Sequence, residues 1–100
     1  MSDDIEFLLK IRDTIKRRRM ESPDESYTAS LFKDGLRKIS QKVGEEAVEV
    51  VIAALTEDDK RLKSEMADLI FHILVLLEAK DITFEDIVSE LKLRDKTFTH

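Results

Sequence analysis

The stretch that decides the fold is residues 42–68, which opens Lys42-Val43-Gly44-Glu45-Glu46-Ala47-Val48-Glu49 and closes Glu65-Met66-Ala67-Asp68. Between these ends an apolar run, Val50-Val51-Ile52-Ala53-Ala54-Leu55, meets the polar turn Thr56-Glu57-Asp58-Asp59. The β-branched residues 48–52 have strand propensity, but the length of the segment and the period of its apolar positions decide for helix. So short a turn returns the next helix antiparallel to the first. Glu46 with Glu49, and Glu65 with Asp68, are each spaced i, i+3, which puts their Cβ atoms on one helix face roughly 5–6 Å apart. Two such pairs on neighbouring helices present four carboxylates to one small volume, where like charges repel and raise one another's pKa. A hard divalent cation that prefers oxygen ligands, such as Mg²⁺, relieves that repulsion. A salt-bridged core edge is the competing reading, with Lys38 and Lys42 as partners, since Lys42 stands i, i+4 from Glu46. Spacing alone leaves both open.

Outward from this pair, the chain reads as all-α, an antiparallel helical bundle with helices at 4–19, 29–34, 36–55, 58–80 and 84–96. Two glycines and one proline in 100 residues leave little material for turns. Asp3 and Glu6 suggest a cap for the first helix, which ends in the basic run Lys16-Arg17-Arg18-Arg19. That run suits a helix C-terminus or a contact to an anionic ligand. Residues 21–26 form a loop around Pro23. Thr28 is the expected N-cap of the short second helix and Gly35 its left-handed C-cap. On a helical wheel Ile39, Val43, Ala47, Val50, Val51 and Ala54 make one apolar face, with Lys42, Glu46, Glu49 and Ala53 flanking it. Gly44, inside a helix, costs about 1 kcal/mol relative to alanine, which points to close approach by another helix or by a substrate. Beyond Asp68 the next helix is apolar nearly all round, so self-association through it is expected, with Leu74 and Leu76 in the interface. Thr83, Asp86, Ile82 and Ile87 form a capping box and staple for the last helix, and residues 97–100 read as a frayed end.

One hundred residues make a single domain, 1–100. With no cysteine, disulfides and thiolate metal sites are excluded. The formal net charge of −5 argues against a nucleic-acid or anionic-membrane binder. The longest apolar run is too short for a bilayer, which takes about 20 residues. A soluble, cytoplasmic protein is expected. His72 reads as a hydrogen-bonded core or interface residue, and His100 is uninformative.

The residues around the acids carry a resemblance. Ser26-Tyr27-Thr28 with Leu31 and Gly35, Lys38-Ile39, the Lys42–Glu49 string, Glu65-x-Ala67-Asp68-Leu69-Ile70-x-His72, and Glu90-Leu91-x-x-Arg94 together resemble the phosphoribosyl-ATP pyrophosphohydrolases of histidine biosynthesis. The acid pattern alone is shared by the wider all-α nucleotide pyrophosphohydrolase (MazG-like) superfamily. The resemblance spans residues 22–94. It implies a homodimer or larger homo-oligomer that uses Mg²⁺ to hydrolyse 1-(5-phosphoribosyl)-ATP to phosphoribosyl-AMP and pyrophosphate, the second step of histidine synthesis. Carried over, Glu46, Glu49, Glu65 and Asp68 would be the metal ligands. Glu45 would be a supporting group or the residue that orients the attacking water. Lys38 and Lys42 are candidates for phosphate contacts, with Lys33 and Arg37 as weaker ones. Two other functions compete: a house-cleaning nucleoside triphosphate pyrophosphohydrolase, and a non-catalytic helical dimerisation module whose acids are structural.

Overall fold

The structure, a computed structural model, describes residues 2–99, and its elements are α1 (Ser2–Arg18), α2 (Tyr27–Asp34), α3 (Leu36–Thr56), α4 (Asp59–Ala79), α5 (Phe84–Leu93) and α6 (Asp95–Thr99). No strand occurs among the described residues, as the periodicity requires. The centre of the molecule is the antiparallel α3–α4 hairpin, turned by Glu57 and Asp58 alone. Asp58 caps α4 by accepting the Arg61 N–H at 2.8 Å, and its dipole end gains a further acid at Asp59. None of the helices is long and apolar enough to cross a membrane, among the described residues.

The core lies at one end of this hairpin. Ile15 of α1, Leu31 of α2, Ile39 of α3, and Leu74 and Val75 of α4 are buried together, with Ile11, Phe32, Phe71, Leu76, Leu77 and Phe84 packed around them. α1 and α2 therefore roof the N-terminal half of α3 and the C-terminal half of α4. Arg19 fixes the roof: its guanidinium lies 4.7 Å from the centre of the Phe32 ring and 3.4 Å from the Glu78 carboxylate. Arg18 pairs with Glu21 at 3.1 Å. The end of the basic run thus serves the chain's own loop and helices. Arg12 ties α1 to α5 through Glu85 at 2.6 Å.

Several local expectations shift. The N-cap of α2 is Ser26, not Thr28: Ser26 is extended (φ −148°, ψ 129°) and its hydroxyl accepts the Ala29 N–H, so Thr28 falls inside the helix and is buried. Both residues are good caps; the turn around Pro23, closed by the Glu25 N–H to the Ser22 carbonyl at 2.9 Å, delivers an extended Ser26 and so the earlier cap. Gly35 has the expected positive φ of 96°, but its ψ of −180° leaves the left-handed helical region and starts α3 at once. α1 begins at Ser2, so Asp3 lies in its first turn rather than capping it. The capping box forms as read, with Thr83 and Asp86 exchanging bonds of 2.9 and 3.0 Å; a cap of this kind is worth about 1 kcal/mol. The last helix breaks at Arg94 (φ −97°, ψ 13°), and residues 95–99, expected to fray from 97, form the short α6. His100 lies outside the described residues.

The larger correction concerns which faces are covered. Leu74, expected in an intermolecular interface, is 4% exposed inside the chain's own core, and Leu76 packs against that core. On α3 the buried face is rotated from the one expected: Ala53 is fully buried, while Val51 and Ala54 are exposed. The two-residue turn brings the helices close at this tip, where a small residue fits between them. Two apolar stripes are left open, Val48, Val51, Ile52 and Leu55 on α3 and Met66, Ile70 and Ile73 on α4.

Candidate active site: an acidic rim on the helical hairpin

The two long helices bring three of the predicted carboxylates together. One oxygen from each of Glu46, Glu65 and Asp68 lies within 4.8 Å of the other two. Antiparallel pairing places the middle of α3 opposite the first half of α4, so residues far apart in sequence become neighbours. The set stands where the roofed end of the hairpin gives way to the open end. Glu65 is 5% exposed, Glu46 half-buried and Asp68 exposed, so the trio opens to solvent on the Asp68 side. Glu49, one turn beyond Glu46, is exposed and stands outside this trio.

The cations expected from the sequence are present in part. Lys42 Nζ lies 3.3 Å from Glu45 and 3.7 Å from Glu46. Burial works against the Lys42 charge, but the Glu45 hydrogen bond and the neighbouring Tyr27, Glu45 and Glu46 hold its pKa above the ordinary lysine value. Glu45 also accepts from Gln41 at 2.9 Å; hydrogen bonds from Gln41 and Lys42, with the charges of Lys42 and Lys38, hold its pKa below the usual carboxylate range. Arg61, unremarked in the sequence, reaches Glu65 at 3.2 Å and Glu57 at 3.8 Å. Lys38 is half-buried one turn before Lys42, whereas Lys33 and Arg37 are exposed. The salt-bridge reading therefore accounts for part of the rim. Lys42 and Arg61 partly neutralise four carboxylates, Glu45, Glu46, Glu57 and Glu65, and Asp68 appears in none of the ion pairs found among the described residues.

Gly44 is exposed on the outer side of α3, and a Cβ there would meet nothing within 4 Å. Close packing of a helix from the same chain does not explain it. A cleft of about 420 Å³ lies elsewhere, where α1, α4 and α5 meet around Arg12, Lys16, Glu78 and Glu85. It is separate from the acids.

Two further residues, Tyr27 and His72, reach this region, although the sequence pattern assigns neither to the acidic site. Tyr27 O–H lies 2.8 Å from His72 Nε2, and His72 Nδ1 lies 2.7 Å from the Asp68 carbonyl oxygen. His72 is buried, as expected of a core histidine, but its partners link it to the acidic rim. The available signal was its i+4 position relative to Asp68. Burial raises the Tyr27 pKa; Lys42 opposes that rise, while Glu46, Glu45 and Asp68 reinforce it. Its hydroxyl therefore stands within the field of the whole rim.

Comparison with known proteins concerns the chain as a whole. A family profile described as phosphoribosyl-ATP pyrophosphohydrolase matches residues 8–95. The chain is 53% identical over 95 residues to the phosphoribosyl-ATP pyrophosphatase of Zymomonas mobilis, covering 95% of this chain and 89% of that one. It is 50% identical over 90 residues to the enzyme of the same name from Leptospira biflexa, covering 90% and 98%. It is also 51% identical over 88 residues to the histidine biosynthesis bifunctional protein HisIE of Bacteroides thetaiotaomicron, covering 88% of this chain and 43% of that longer protein.

Proposed function

This chain belongs to the phosphoribosyl-ATP pyrophosphohydrolase family, and we propose that it hydrolyses 1-(5-phosphoribosyl)-ATP between its α and β phosphates, releasing phosphoribosyl-AMP and pyrophosphate. The observation that carries the reading is the trio Glu46, Glu65 and Asp68, gathered within 4.8 Å on a chain of this family. An all-oxygen, carboxylate-only donor set suits Mg²⁺ rather than a softer metal. Glu46, Glu65 and Asp68 would hold it, and the exposed side chain of Glu49 is free to turn in as a fourth ligand. When bound, magnesium polarises the phosphoryl oxygens and makes a water more acidic.

The chain's own groups supply positioning and charge, which is most of what phosphoanhydride hydrolysis asks of a protein. Lys42 sits at the edge of the acids with Lys38 one turn behind it, so both can meet the phosphates as they arrive. Lys33 near the end of α2 and Arg37 at the start of α3, both exposed, would add to the local positive field. Glu45 is held ionised by Gln41 and Lys42, which suits an acceptor that orients the attacking water. The surrounding acids would repel a polyphosphate until a cation has been taken up, so cation binding would favour substrate binding.

The proposed enzyme is a dimer. The accessible surface of the single chain is 7587 Å², against about 5,800 Å² for a compact monomer of this mass. Its radius of gyration is 15.1 Å, against about 13 Å for a compact domain of 100 residues. The open apolar stripes of α3 and α4 are the surface a second copy would cover, with Gly44 beside them offering close approach to a partner helix.

The deciding assay is pyrophosphate release. We expect turnover of phosphoribosyl-ATP, dependent on Mg²⁺, and none with ATP or dCTP under the same conditions. Equal turnover of an ordinary nucleoside triphosphate identifies a house-cleaning enzyme instead. A second expectation needs no substrate. Ligands that bind only the folded state stabilise it, by about 2.7 kcal/mol at 100 times the dissociation constant. Mg²⁺ at millimolar concentration should therefore raise the melting temperature by several degrees, and an unchanged melting curve counts against a preformed site.

A further inference from the structure

Glu65 is the fully buried acid of the trio, and a buried carboxylate needs a counter-charge. Among the described residues its ion-pair partner is Arg61, whose Nη2 lies 3.2 Å from Glu65 Oε1. The pairing follows from register. Glu57, Arg61 and Glu65 stand four apart, from the hairpin turn into the first turns of α4, so the guanidinium serves two carboxylates. Its Nε holds Glu57 more loosely, at 3.8 Å.

The backbone and side chain of Arg61 are held with unequal firmness. Its N–H is fixed at 2.8 Å by the Asp58 cap of α4, whereas its side chain is 56% exposed. A depression of about 510 Å³ at the turn, lined by Glu57, Asp58, Lys60, Arg61 and Ser64, gives the guanidinium room to withdraw. Arg61 is thus a tethered cation with a second partner to fall back on. Lys42 is placed differently. Its closer partner is Glu45, which lies outside the trio, at 3.3 Å against 3.7 Å for Glu46. A cation held by Glu46, Glu65 and Asp68 therefore leaves the nearer Lys42 pair intact, but it needs the carboxylate that Arg61 holds.

We propose that Arg61 is the resident counter-ion of the metal site: it holds Glu65 in the free enzyme, gives way when a divalent cation is taken up, and passes to the phosphates that arrive on that cation. The inference rests on the hydrolase reading above and deepens it. A planar guanidinium meets two phosphate oxygens at once and stays charged at any working pH. The exchange leaves the buried carboxylate compensated at each stage and delivers the released charge where a polyphosphate needs it.

Metal binding tests the first half without turnover. Free Mn²⁺ is counted by its electron paramagnetic resonance signal. Arg61→Gln should bind Mn²⁺ about fivefold more tightly than the wild type, because no side chain then competes for Glu65. Lys60→Gln removes the same charge from the exposed neighbouring residue, and at physiological ionic strength it should change Mn²⁺ affinity by less than about twofold. Equal tightening in both variants reports a field rather than a contact and overturns the proposal, as does unchanged affinity in Arg61→Gln. At saturating Mg²⁺, the KM of Arg61→Gln for phosphoribosyl-ATP should rise about tenfold, with kcat within about threefold. Tighter metal with weaker substrate is a combination that damage to the fold does not produce, and an unchanged KM overturns the hand-over. Absence of Mn²⁺ uptake by wild type and variant alike overturns the metal site and the proposal with it. A wild type that takes up Mn²⁺ yet releases no pyrophosphate overturns the hydrolase reading, while the contrast in metal affinity still decides whether Arg61 is the counter-ion.

Discussion

Glu65→Gln should abolish most pyrophosphate release and at the same time make the metal-free protein more stable. These opposite signs separate a ligand from a structural acid. Glu65 is the buried member of the trio, and each of its carboxylate neighbours lies within 4.8 Å. At that distance two unit negative charges repel by about 1 kcal/mol in water and about 3.5 kcal/mol at an effective dielectric of 20; the exposure of Asp68 favours the lower figure. Against this stands one ion pair to Arg61, 3.2 Å away but with a side chain 56% exposed, and such pairs contribute about 0–1 kcal/mol. Relief of two repulsions outweighs loss of one pair by about 1 kcal/mol, which for a domain of this size raises the melting temperature by about 4–8 °C. The Mg²⁺-induced shift should disappear in the same variant. Losing charge that stabilises the transition state costs about 10²–10³ in kcat. Asp68→Asn should behave alike, with a smaller stability gain because it is exposed. Acids kept at a stability cost are the mark of a working site. Were Glu65→Gln active, destabilised and still responsive to Mg²⁺, the acids would be the edge of a salt-bridged core and the dimerisation-module reading would return.

The helices themselves were legible because their signals are local. Thr83 with Asp86, and the polar turn before Arg61, act within one turn of backbone, so short sequence windows contain the whole interaction. Ser26 and Thr28 are both cap formers, and what separates them is the backbone leaving Pro23, which sequence spacing does not contain. The acids were found because i, i+3 spacing survives into structure: Glu65 and Asp68 share a face, and antiparallel pairing brings Glu46 to them. The position of Glu49 could not be read in the same way. Its backbone face is right, but a long side chain at the rim chooses between solvent and the site. Contacts across the chain were the least visible. Nothing near Tyr27 announces a bond to His72, 45 positions later, and nothing near Leu74 distinguishes it from Ile70. Both are apolar residues on one helix. Only the docking of α1 and α2 on one end of the hairpin buries the first and leaves the second open.

That distinction relocates the test of assembly. Leu74→Asp would place a charge among Ile15, Leu31, Ile39 and Val75, and a buried unpaired charge unfolds a small domain rather than dissociating it. Ile70→Asp and Val51→Asp instead change residues that are 43% and 57% exposed in the single chain, so the fold of one chain has little to lose. In the proposed dimer both lie against a partner. Burying a side chain of this size contributes about 1.5–3 kcal/mol, and twofold symmetry places each substitution in the interface twice. The expected loss is therefore at least about 3–6 kcal/mol before the cost of desolvating two carboxylates, or more than 10²-fold in the dimerisation constant. Sedimentation at micromolar concentration should find the wild type as a dimer and each variant as a helical monomer. Monomers should also lose activity, because the acids border the open end of the hairpin and the second copy would close the site on that side. A variant that stays monomeric and fully active would separate assembly from catalysis, and a wild-type chain that sediments as a monomer would leave its surplus apolar surface to some other occupant.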